Sequence, residues 1–390
     1  MKKRKIVYVT GSRAEYGVMR SVLKAIDKDS TLSLSLIVTG THLMPKYGST
    51  IREIKKDGFK IAAKVPLNIK NESEYEMTKY FADCLTGVAK ALRKIKPDIV
   101  IVQADRSETL ASAIAAAYLN IPIIHMSGGD VTSSGTIDDA VRHATTKFAH
   151  IHFPSTKESA ERLIRMMEEP WRVIYTGNPG VDLTKEKHTP AKEIAKKLSI
   201  DLKKPILVMI YHPVKSEIGD IKNNTEDIME AVKQVEMQTV IIYPNCDVGS
   251  NIVIGTIEKY SKLPFIRVVK SLQREDFIGL LRVASAIIGN SSSAVIEAPS
   301  LKVPAVNIGN RQRDRERSNN LIDVDYKRKE IAEAIKKAVF DKVFRRNIKG
   351  TPYVREGTEK RIVKILKNLK LDKNFLVKKY YEGKDYSFNR

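Results

Sequence analysis

Cysteine is scarce in this 390-residue chain: its two cysteines, Cys84 and Cys246, lie far apart and form no Cys-x-x-Cys pair. This scarcity excludes a disulfide scaffold and favours free thiols in a reducing compartment. Long apolar runs are also missing, since no stretch reaches the roughly 18 residues that a membrane span needs. The apolar stretch after the basic start is too short for a signal segment. We therefore expect a soluble, cytoplasmic protein.

What is present is an ordinary globular composition with a strong positive charge. Apolar residues make up 42% of the chain and charged residues 29%, and the formal net charge is +22. At roughly 150 residues per domain, the length predicts two to three domains. The lysines are spread along polar helix faces, and no basic patch alternates with aromatic residues. We therefore expect no nucleic-acid or membrane partner; the charge suits capture of a phosphorylated small molecule.

Short, nearly continuous apolar runs alternate with amphipathic stretches along almost the whole chain. This alternation predicts an α/β fold with parallel strands that helices cover on both faces. We expect two doubly wound, Rossmann-like domains that face a cleft. The predicted strands are 5–10, 34–39, 98–103, 121–125, 151–153 and 173–176 in the first set, and 206–210, 239–243, 265–269, 286–288 and 305–308 in the second.

The boundaries follow from a polar, lysine-rich stretch between the two sets of strands. We assign 1–182 to the first domain, 183–204 to a linker and 205–369 to the second domain. The aromatic, basic segment 370–390 is either a frayed end or a helix that packs back onto the first domain. Its Phe375, Leu376, Tyr380 and Tyr381 favour the second alternative.

Two turns that follow predicted strands suit an anionic ligand. The first is Gly11-Ser12-Arg13, where backbone N–H groups and an arginine precede a helix. In the second, Gly289-Asn290 leads into Ser291, Ser292 and Ser293, which offer hydroxyl and amide donors to phosphate oxygens. Glu297 lies about a turn and a half further on, where it would accept hydrogen bonds from ribose hydroxyls. The alternative is a variant of a capping box with a surface acid.

Acidic and imidazole side chains gather after other strands, an arrangement that suits acid–base chemistry on a polar substrate. An alternative assigns structural roles, in which Asp138 and Asp139 cap a helix and Asp105 pairs with Arg106. His212 follows a strand of the second set, where it suits proton transfer or phosphate binding. The first set contributes Asp105, Arg106, Glu108, Asp130, Asp138, Asp139, Arg142 and His143.

Neither a metal nor an organic cofactor is expected. His150 and His152 alternate on one predicted strand, but no third ligand stands at a suitable spacing. The sequence also lacks a dinucleotide fingerprint and a Gly-x-Ser-x-Gly motif.

Seven motifs, taken together and in order, resemble the hydrolysing UDP-N-acetylglucosamine 2-epimerases of the sialic-acid and legionaminic-acid branch. They are V-T-G-S-R-A-E-Y-G, A-D-R-x-E, I-P-I-I-H-M-S-G-G-D-V-T, I-D-D-A-V-R-H-A-T-T-K, P-N-C-D-V-G-S, G-N-S-S-S and N-I-G-N-R-Q. The resemblance covers about residues 4–368. It implies a glycosyltransferase-B-like fold, a homodimer or homotetramer, and no metal or redox cofactor.

The resemblance also implies a reaction, in which UDP-N-acetylglucosamine gives N-acetylmannosamine and UDP through a 2-acetamidoglucal. It places Asp105, Asp138 and Asp130 in catalytic positions and His212 beside the departing diphosphate. Other positions match substrate or nucleotide contacts: Arg13, His42, Arg106, Ser127, Arg142, His143, Asp182, Asn245, Asp247, Ser291, Ser292, Glu297 and Arg311.

One position departs from the pattern. Sialic-acid members read H-I-E-G-G-E, with a catalytic glutamate where this chain has Ser127. Either Asp130 takes over the proton step, or the chain acts on a different sugar, such as a UDP- or GDP-activated 2,4-diacetamido sugar. A glycosyltransferase that shares the fold and a non-catalytic nucleotide-sugar sensor are the other interpretations.

Overall fold

The protein is described from a computed structural model over residues 3–69, 73–132, 137–181, 187–214, 217, 219–244 and 247–382. The chain forms two compact units. The first unit consists of Met1–Asp130, Ile137–Gly180 and Tyr353–Arg390, and the second of Val131–Thr136 and Val181–Pro352.

The first unit contains a parallel six-stranded sheet in the order β3-β2-β1-β4-β5-β6. Its central strands are runs of branched apolar residues that are buried on both faces, because helices cover both sides of a doubly wound sheet. The strands are β1 (Arg4–Thr10), β2 (Leu32–Thr39), β3 (Ile61–Val65), β4 (Ile99–Gln103), β5 (Ile123–Met126) and β6 (Ile151–Phe153).

In the described part of this unit, six helices come before Val181, where the longer segment of the second unit begins. They are α1 (Arg13–Lys28), α2 (Ile51–Lys56), α3 (Glu74–Ile95), α4 (Ser107–Tyr118), α5 (Asp138–Phe148) and α6 (Lys157–Arg165). Helix α1 begins with a capping box, in which Ser12 accepts a hydrogen bond from the Glu15 amide and Glu15 accepts one from the Ser12 amide. This box fixes where β1 ends and the helix begins.

The second unit repeats the architecture, with a parallel sheet in the order β12-β11-β10-β7-β8-β9. The strands are β7 (Ile206–Ile210), β8 (Gln238–Ile242), β9 (Ile266–Val269), β10 (Ala286–Gly289), β11 (Ala305–Ile308) and β12 (Leu321–Val324). The helices are α7 (Ala191–Leu198), α8 (Ile221–Val235), α9 (Ser250–Tyr260), α10 (Arg274–Val283), α11 (Ser293–Ile296), α12 (Arg328–Phe340) and α13 (Lys342–Arg346). The chain then returns to the first unit and forms α14 (Thr358–Asn368).

Each sheet separates two hydrophobic clusters, one on each face. In the first unit, Ile6, Tyr8 and Leu36 pack on one face, and Val7 and Val100 pack on the other. Burial of one such side chain stabilises the fold by about 1.5–3 kcal/mol, so these layers fix the sheets from which the polar loops emerge.

One predicted strand is absent from the structure, and two observed strands were not predicted. Residues 173–176 form no strand; Val173 makes only an isolated bridge to His152. Strands β3 and β12 were missed because both are sheet edges with partly exposed side chains, so they lack the continuous apolar run of a central strand.

The predicted domain boundaries also differ from the structure. Helix α14, which we assigned to the second domain, packs against α1 and belongs to the first unit. The crossing back therefore lies before Tyr353 and not at 369. Helix α7, which falls in the predicted linker, packs against α10 of the second unit because its Ile194 is fully buried there.

The segment after α14 packs on the first unit without forming a helix in its described part, 369–382. Phe375 is buried and stacks on the His150 ring. The buried guanidinium of Arg172 donates to the carbonyl oxygens of Phe375 and Val377, at 3.0 and 2.7 Å. Backbone carbonyls and one aromatic ring therefore hold this segment.

Over the described ranges, no helix combines the length and the apolar character that crossing a membrane requires.

Candidate functional site

All strands within each sheet run parallel, so the loops that leave their carboxyl ends emerge at one edge. In a doubly wound sheet, ligands bind at this edge, next to the pair of strands where the chain reverses its winding direction. That pair is β1 and β4 in the first unit and β7 and β10 in the second. Most of the predicted site residues follow these strands or their neighbours.

The Gly11–Ser12 turn differs from our expectation that its amides would bind an anion. The Glu15 carboxylate accepts hydrogen bonds from the amides of Gly11 and Ser12, at 3.0 and 2.9 Å. Glu15, a residue of the helix that follows the turn, therefore occupies both backbone donors. The neighbouring Arg13, also predicted to bind the nucleotide, forms an ion pair with Glu53 at 2.9 Å and has a side chain that is 18% exposed.

A second buried carboxylate lies under this turn. A Cβ atom at Gly11 would stand 2.8 Å from the carboxyl carbon of Glu108, so only glycine permits this approach. Glu108 accepts a hydrogen bond from the Tyr80 hydroxyl and forms an ion pair with Arg106 at 3.4 Å. Burial, together with the charge of Glu108, raises the pKa of Glu15 to about 7.

Asp105 follows β4 in a strained turn. Ala104 has a φ of +59°, a conformation that non-glycine residues seldom adopt and that is frequent at functional sites. Both of its backbone groups are held by β5, because its amide donates to Met126 O at 3.0 Å and its carbonyl accepts from His125 Nε2 at 2.9 Å. The turn directs Asp105 towards Arg142, which donates to its Oδ2.

Arg142 is the centre of the charged cluster of the first unit, although its side chain is only 1% exposed. Its guanidinium donates to Asp105, to Asp139, and to the backbone carbonyl of Asp130 at 2.9 Å. Burial lowers the pKa of Arg142, but the carboxylates of Asp105, Asp130 and Asp139 outweigh burial and raise the pKa above its ordinary value. Arg142 therefore remains a cation that joins the ends of β4 and β5 to α5.

The other acids of this unit have different surroundings. Asp130 is buried and accepts a hydrogen bond from the Ser159 hydroxyl at 2.7 Å. Asp138 and Asp139 open α5 and Ile137 is its capping residue, so the alternative in which the two acids cap this helix is not borne out. Asp139 forms an ion pair with Arg142, whereas the sequence prediction places Asp138 in the catalytic position. The spacing of three residues between Asp139 and Arg142 on one helix was a usable signal.

The histidines of the first unit are largely internal. His42, predicted to contact substrate, is fully buried, and its two ring nitrogens lie 3.0 and 2.7 Å from the hydroxyls of Thr10 and Thr50. Burial lowers its pKa to about 4, so it belongs to the interior of the fold and does not line a surface. His125 is equally buried, and its pKa is lowered to about 3. His143 is half-buried, and burial and the Arg142 charge lower its pKa.

Ser127 occupies the position where the resemblance predicts a glutamate. It has a φ of +59° and is 5% exposed. Its hydroxyl oxygen lies 3.2 Å from Gln103 Nε2 and 3.0 Å from the Ser155 hydroxyl. Ser127, Gln103 and Ser155 therefore form a small, neutral hydrogen-bonded cluster at the position where the sialic-acid members have a glutamate.

In the second unit, His212 follows β7 and is 7% exposed. Asn290, which follows β10, holds its backbone on both sides. Asn290 Oδ1 accepts from the His212 amide at 2.7 Å, and Asn290 Nδ2 donates to the His212 carbonyl at 2.8 Å. The Asn290 carbonyl accepts hydrogen bonds from Arg311 and Gln312, at 3.1 and 3.0 Å. One residue thus links the ends of three neighbouring strands, β7, β10 and β11.

The serines after Asn290 belong to a short element. Ser291 is buried and accepts from the Ser293 amide, at 3.3 Å, while Ser292 is partly buried. Helix α11 has only four residues, so it provides little of the dipole that the sequence analysis expected.

Glu297 lies just beyond α11 and is 7% exposed. Arg274, at the start of α10, donates to Glu297 Oε1 at 2.7 Å. The sequence analysis missed this partner, because 23 residues separate the two side chains and no local spacing joins them. Asp247 is partly buried, and its carbonyl accepts from the Ser250 amide and hydroxyl at 3.0 and 2.6 Å. Asp182 and Asn245 lie outside the described residues.

Among the residues described, no group of three histidine, cysteine or carboxylate side chains is arranged to hold a metal ion.

The two parallel sheets with their helices define an α/β protein with two doubly wound, Rossmann-like domains, the glycosyltransferase-B-like class. A UDP-GlcNAc 2-epimerase structure from Neisseria meningitidis, bound to UDP-GlcNAc, shares this fold with a TM-score of 0.79. It covers 93% of this chain and 100% of that chain at 21% identity.

The family model for UDP-N-acetylglucosamine 2-epimerase matches residues 24–367, and the chain belongs to this family. A UDP-N,N'-diacetylbacillosamine 2-epimerase (hydrolyzing) from Legionella pneumophila is 41% identical over 323 residues, 83% of this chain and 85% of the relative. A UDP-N-acetylglucosamine 2-epimerase from Neisseria meningitidis serogroup B is 30% identical over 335 residues, 86% and 87% of the two chains. The resemblance of the seven motifs is thereby confirmed at the level of the family.

Proposed function

We propose that this protein is a hydrolysing 2-epimerase that acts on a UDP-activated 2,4-diacetamido sugar and releases UDP and the free, 2-epimerised sugar. The observation that carries the proposal is the buried Arg142, which binds carboxylates from two different elements at the carboxyl-terminal edge of a sheet. Acids fixed in this way suit removal of a weakly acidic proton from carbon.

The reaction proceeds in two stages. A base removes the proton at C2 of the sugar while the C1–O bond breaks and UDP leaves, so that a 2-acetamidoglucal remains. Water then adds at C1, and a proton returns to C2 from the opposite face. The product is the free sugar with inverted C2, and no oxidant or metal takes part.

The first unit provides the proton chemistry in this proposal. Asp105 is the base, because the turn at Ala104 and the guanidinium of Arg142 fix its carboxylate. Asp138 is the second acid, which returns the proton to C2. Asp130 supports them, because its carboxylate accepts from Ser159 and its carbonyl from Arg142. Arg106 and His143 are proposed substrate contacts that flank these acids.

The second unit provides the leaving-group chemistry. His212 and Arg311 neutralise the diphosphate as it departs, since elimination requires strong stabilisation of the leaving group. Ser291 and Ser292 donate to phosphate oxygens, and Glu297, held by Arg274, accepts from the ribose hydroxyls. Arg13 of the first unit, Asp182, Asn245 and Asp247 complete the proposed contacts.

The diacetamido sugar is favoured over UDP-N-acetylglucosamine by two findings. The relative at 41% identity is a UDP-N,N'-diacetylbacillosamine epimerase, whereas the UDP-N-acetylglucosamine epimerase is 30% identical. Ser127 also replaces the glutamate of the sialic-acid pattern and forms a neutral cluster with Gln103 and Ser155. UDP-N-acetylglucosamine, which gives N-acetylmannosamine for sialic-acid biosynthesis, is the second candidate because of the 30% relative. We further propose a cytoplasmic homodimer or homotetramer.

Mass spectrometry of the products in heavy-oxygen water tests the proposal. The protein is incubated without metal with UDP-N,N'-diacetylbacillosamine, UDP-N-acetylglucosamine and the corresponding GDP sugars. We expect free, unlabelled UDP and the 2-epimerised diacetamido sugar, because the bond that breaks is C1–O and not P–O. Label in the released UDP, or nucleotide sugar left intact after long incubation, contradicts the proposal. Transfer to an added acceptor without release of a free sugar would identify a glycosyltransferase.

A further inference from the structure

Asn290, which follows β10, forms hydrogen bonds to residues that follow the two neighbouring strands, β7 and β11. Its side chain is fully buried, and its amide group makes two hydrogen bonds to the backbone of one residue, His212, at 2.7 and 2.8 Å. Buried side-chain amides are usually hydrogen-bonded. In Asn290, both the oxygen and the nitrogen of the side-chain amide bind the backbone of the same residue. Asn290 therefore fixes the position and direction of the peptide from which the His212 side chain projects.

The backbone of Asn290 contributes to the same link. Its carbonyl accepts from Arg311 Nη1 at 3.1 Å and from Gln312 Nε2 at 3.0 Å, and its amide donates to Ile210 O at 3.2 Å. Gly289 before it has a φ of +116°, and a Cβ atom there would collide with the carbonyl of Ile210. This close approach of β10 to the end of β7 places the side-chain amide of Asn290 within hydrogen-bond distance of the His212 backbone.

We propose that the side chain of Asn290 positions His212 for the departure of the diphosphate without touching the substrate. This inference rests on the proposed function, in which His212 and Arg311 neutralise the leaving group. A positively charged or donor group must stand within hydrogen-bond reach of the developing charge, so a small displacement of either one reduces the rate. Because the Asn290 side chain fixes the peptide that carries His212, its loss is expected to affect catalysis more than substrate binding.

Asn290→Ala, His212→Ala and the double variant test this inference as a cycle. We expect Asn290→Ala to reduce kcat by about 100-fold with a smaller change in KM, the size of effect that misplaced catalytic groups produce. In the double variant we expect little loss beyond that of His212→Ala, because residues that act as a unit are non-additive. An unchanged kcat in Asn290→Ala, or losses that multiply in the double variant, would overturn the inference.

Asn320 offers a matched control in the same unit. It is also a fully buried asparagine, and its Nδ2 donates to Ala294 O and Val303 O at 3.0 and 3.1 Å. Asn320→Ala should lower the melting temperature about as much as Asn290→Ala while kcat stays near that of the unsubstituted protein. Equal losses of kcat in both variants would show general destabilisation and would contradict a positioning role.

Asn290→Asp keeps an acceptor for the His212 amide but replaces the donor that faces the His212 carbonyl. This variant preserves the volume of the side chain, and we expect it to lose kcat as well because one of the two bonds becomes a repulsion. A wild-type kcat in Asn290→Asp would contradict the inference. Failure of the proposed function appears differently, as no UDP release by the unsubstituted protein. Calorimetric UDP binding to Asn290→Ala then decides the positioning role: we expect it to weaken through the displaced His212, and an unchanged affinity would contradict that role.

Discussion

The carboxyl-terminal edges of the two sheets have the same topology but different chemistry. In the first unit, the edge contains buried charges: Arg142 binds two carboxylates, and Glu15 and Glu108 lie under the first turn. In the second unit, the strand ends meet at the neutral Asn290. Its side-chain amide binds the backbone of His212, and its backbone carbonyl accepts from the side chains of Arg311 and Gln312.

In our proposal, this difference assigns a different part of the reaction to each edge. A buried guanidinium holds carboxylates in a fixed array, since removal of either partner leaves an uncompensated charge. The side-chain amide of Asn290 adds no charge, so the nearby His212 and Arg311 are available to bind an anion. The first edge therefore suits proton transfer and the second suits binding of a diphosphate, and the following substitutions test that division.

Asp105→Asn should have the largest effect, about a 10⁴-fold loss of kcat, the upper range for removal of a general base. UDP binding measured by calorimetry should survive, because Asp105 makes no contact with the nucleotide in our proposal. Asp57→Asn is the control, since the Asp57 carboxylate accepts hydrogen bonds from Arg20 and Tyr16, to which we assign no role in the reaction. Loss of UDP binding and activity together would make Asp105 structural and would end the proposed division.

Arg142→Ala should reduce kcat by about 100-fold through the misplaced Asp105. It should also lower the free energy of unfolding by about 3 kcal/mol, the lower end for breaking a buried pair, because the unpaired Asp105 and Asp139 are each 22% exposed. Arg142→Lys keeps the charge but not the forked geometry, and we expect partial rescue of stability with little rescue of kcat. Steady-state kinetics and urea unfolding measure both effects.

Arg172 is a matched control for Arg142, because it is an equally buried arginine of the same unit that donates to the carbonyls of His150, Phe375 and Val377. Arg172→Ala should destabilise the first unit and leave kcat of the folded fraction unchanged. A comparable loss of kcat in both variants would mean that the Arg142 cluster serves stability alone.

Arg13→Ala should weaken UDP binding by about 10-fold, the effect of losing one charge-assisted hydrogen bond of about 1.5 kcal/mol. Arg13 belongs to the first unit, so this result would show that nucleotide binding is not confined to the second unit. Calorimetry with UDP measures it. Glu53→Gln, which changes only the partner of Arg13, should leave the affinity near its original value; unchanged affinity in Arg13→Ala would remove the residue from the site.

The buried histidines predict a smaller, acid-dependent effect on the first unit. Burial lowers the pKa of His42 to about 4 and of His125 to about 3, whereas the unfolded value is near 6.5. The unfolded chain therefore binds protons that the folded chain does not. Stability from these groups is complete above pH 6.5 and falls by about 1.4 kcal/mol per pH unit for each histidine as the pH drops towards 4.

Trp171, the one tryptophan of the sequence, lies in the first unit and reports its unfolding by fluorescence. Urea midpoints measured from pH 7 to 4.5 should decrease, and His42→Gln should flatten part of the decrease. A midpoint that does not change with pH would contradict the assignment of these histidines as neutral and buried.

Much of this architecture was predictable, because buried parallel strands such as β4 and β7 are continuous apolar runs. Edge strands β3 and β12 were not, since their half-exposed patterns resemble loops. The chain crossing before Tyr353 was also missed, because the apolar face of α14 does not indicate which unit it packs against.

The candidate site was predictable only in part. Polar residues after strand ends could be selected, and Asp105 and Arg142 were among them. Their partners depend on contacts between distant parts of the chain, such as Asn290 with His212 and Arg274 with Glu297. Likewise, the occupation of the Gly11 and Ser12 amides by Glu15 required the geometry of the turn.

The most direct measurement is the reaction of the unsubstituted protein with UDP-N,N'-diacetylbacillosamine in deuterium oxide, followed by nuclear magnetic resonance of the released sugar. Our account predicts one deuterium at C2, because the original hydrogen is removed by an acidic residue and replaced by one from solvent. A released sugar that keeps its original hydrogen at C2 would contradict it.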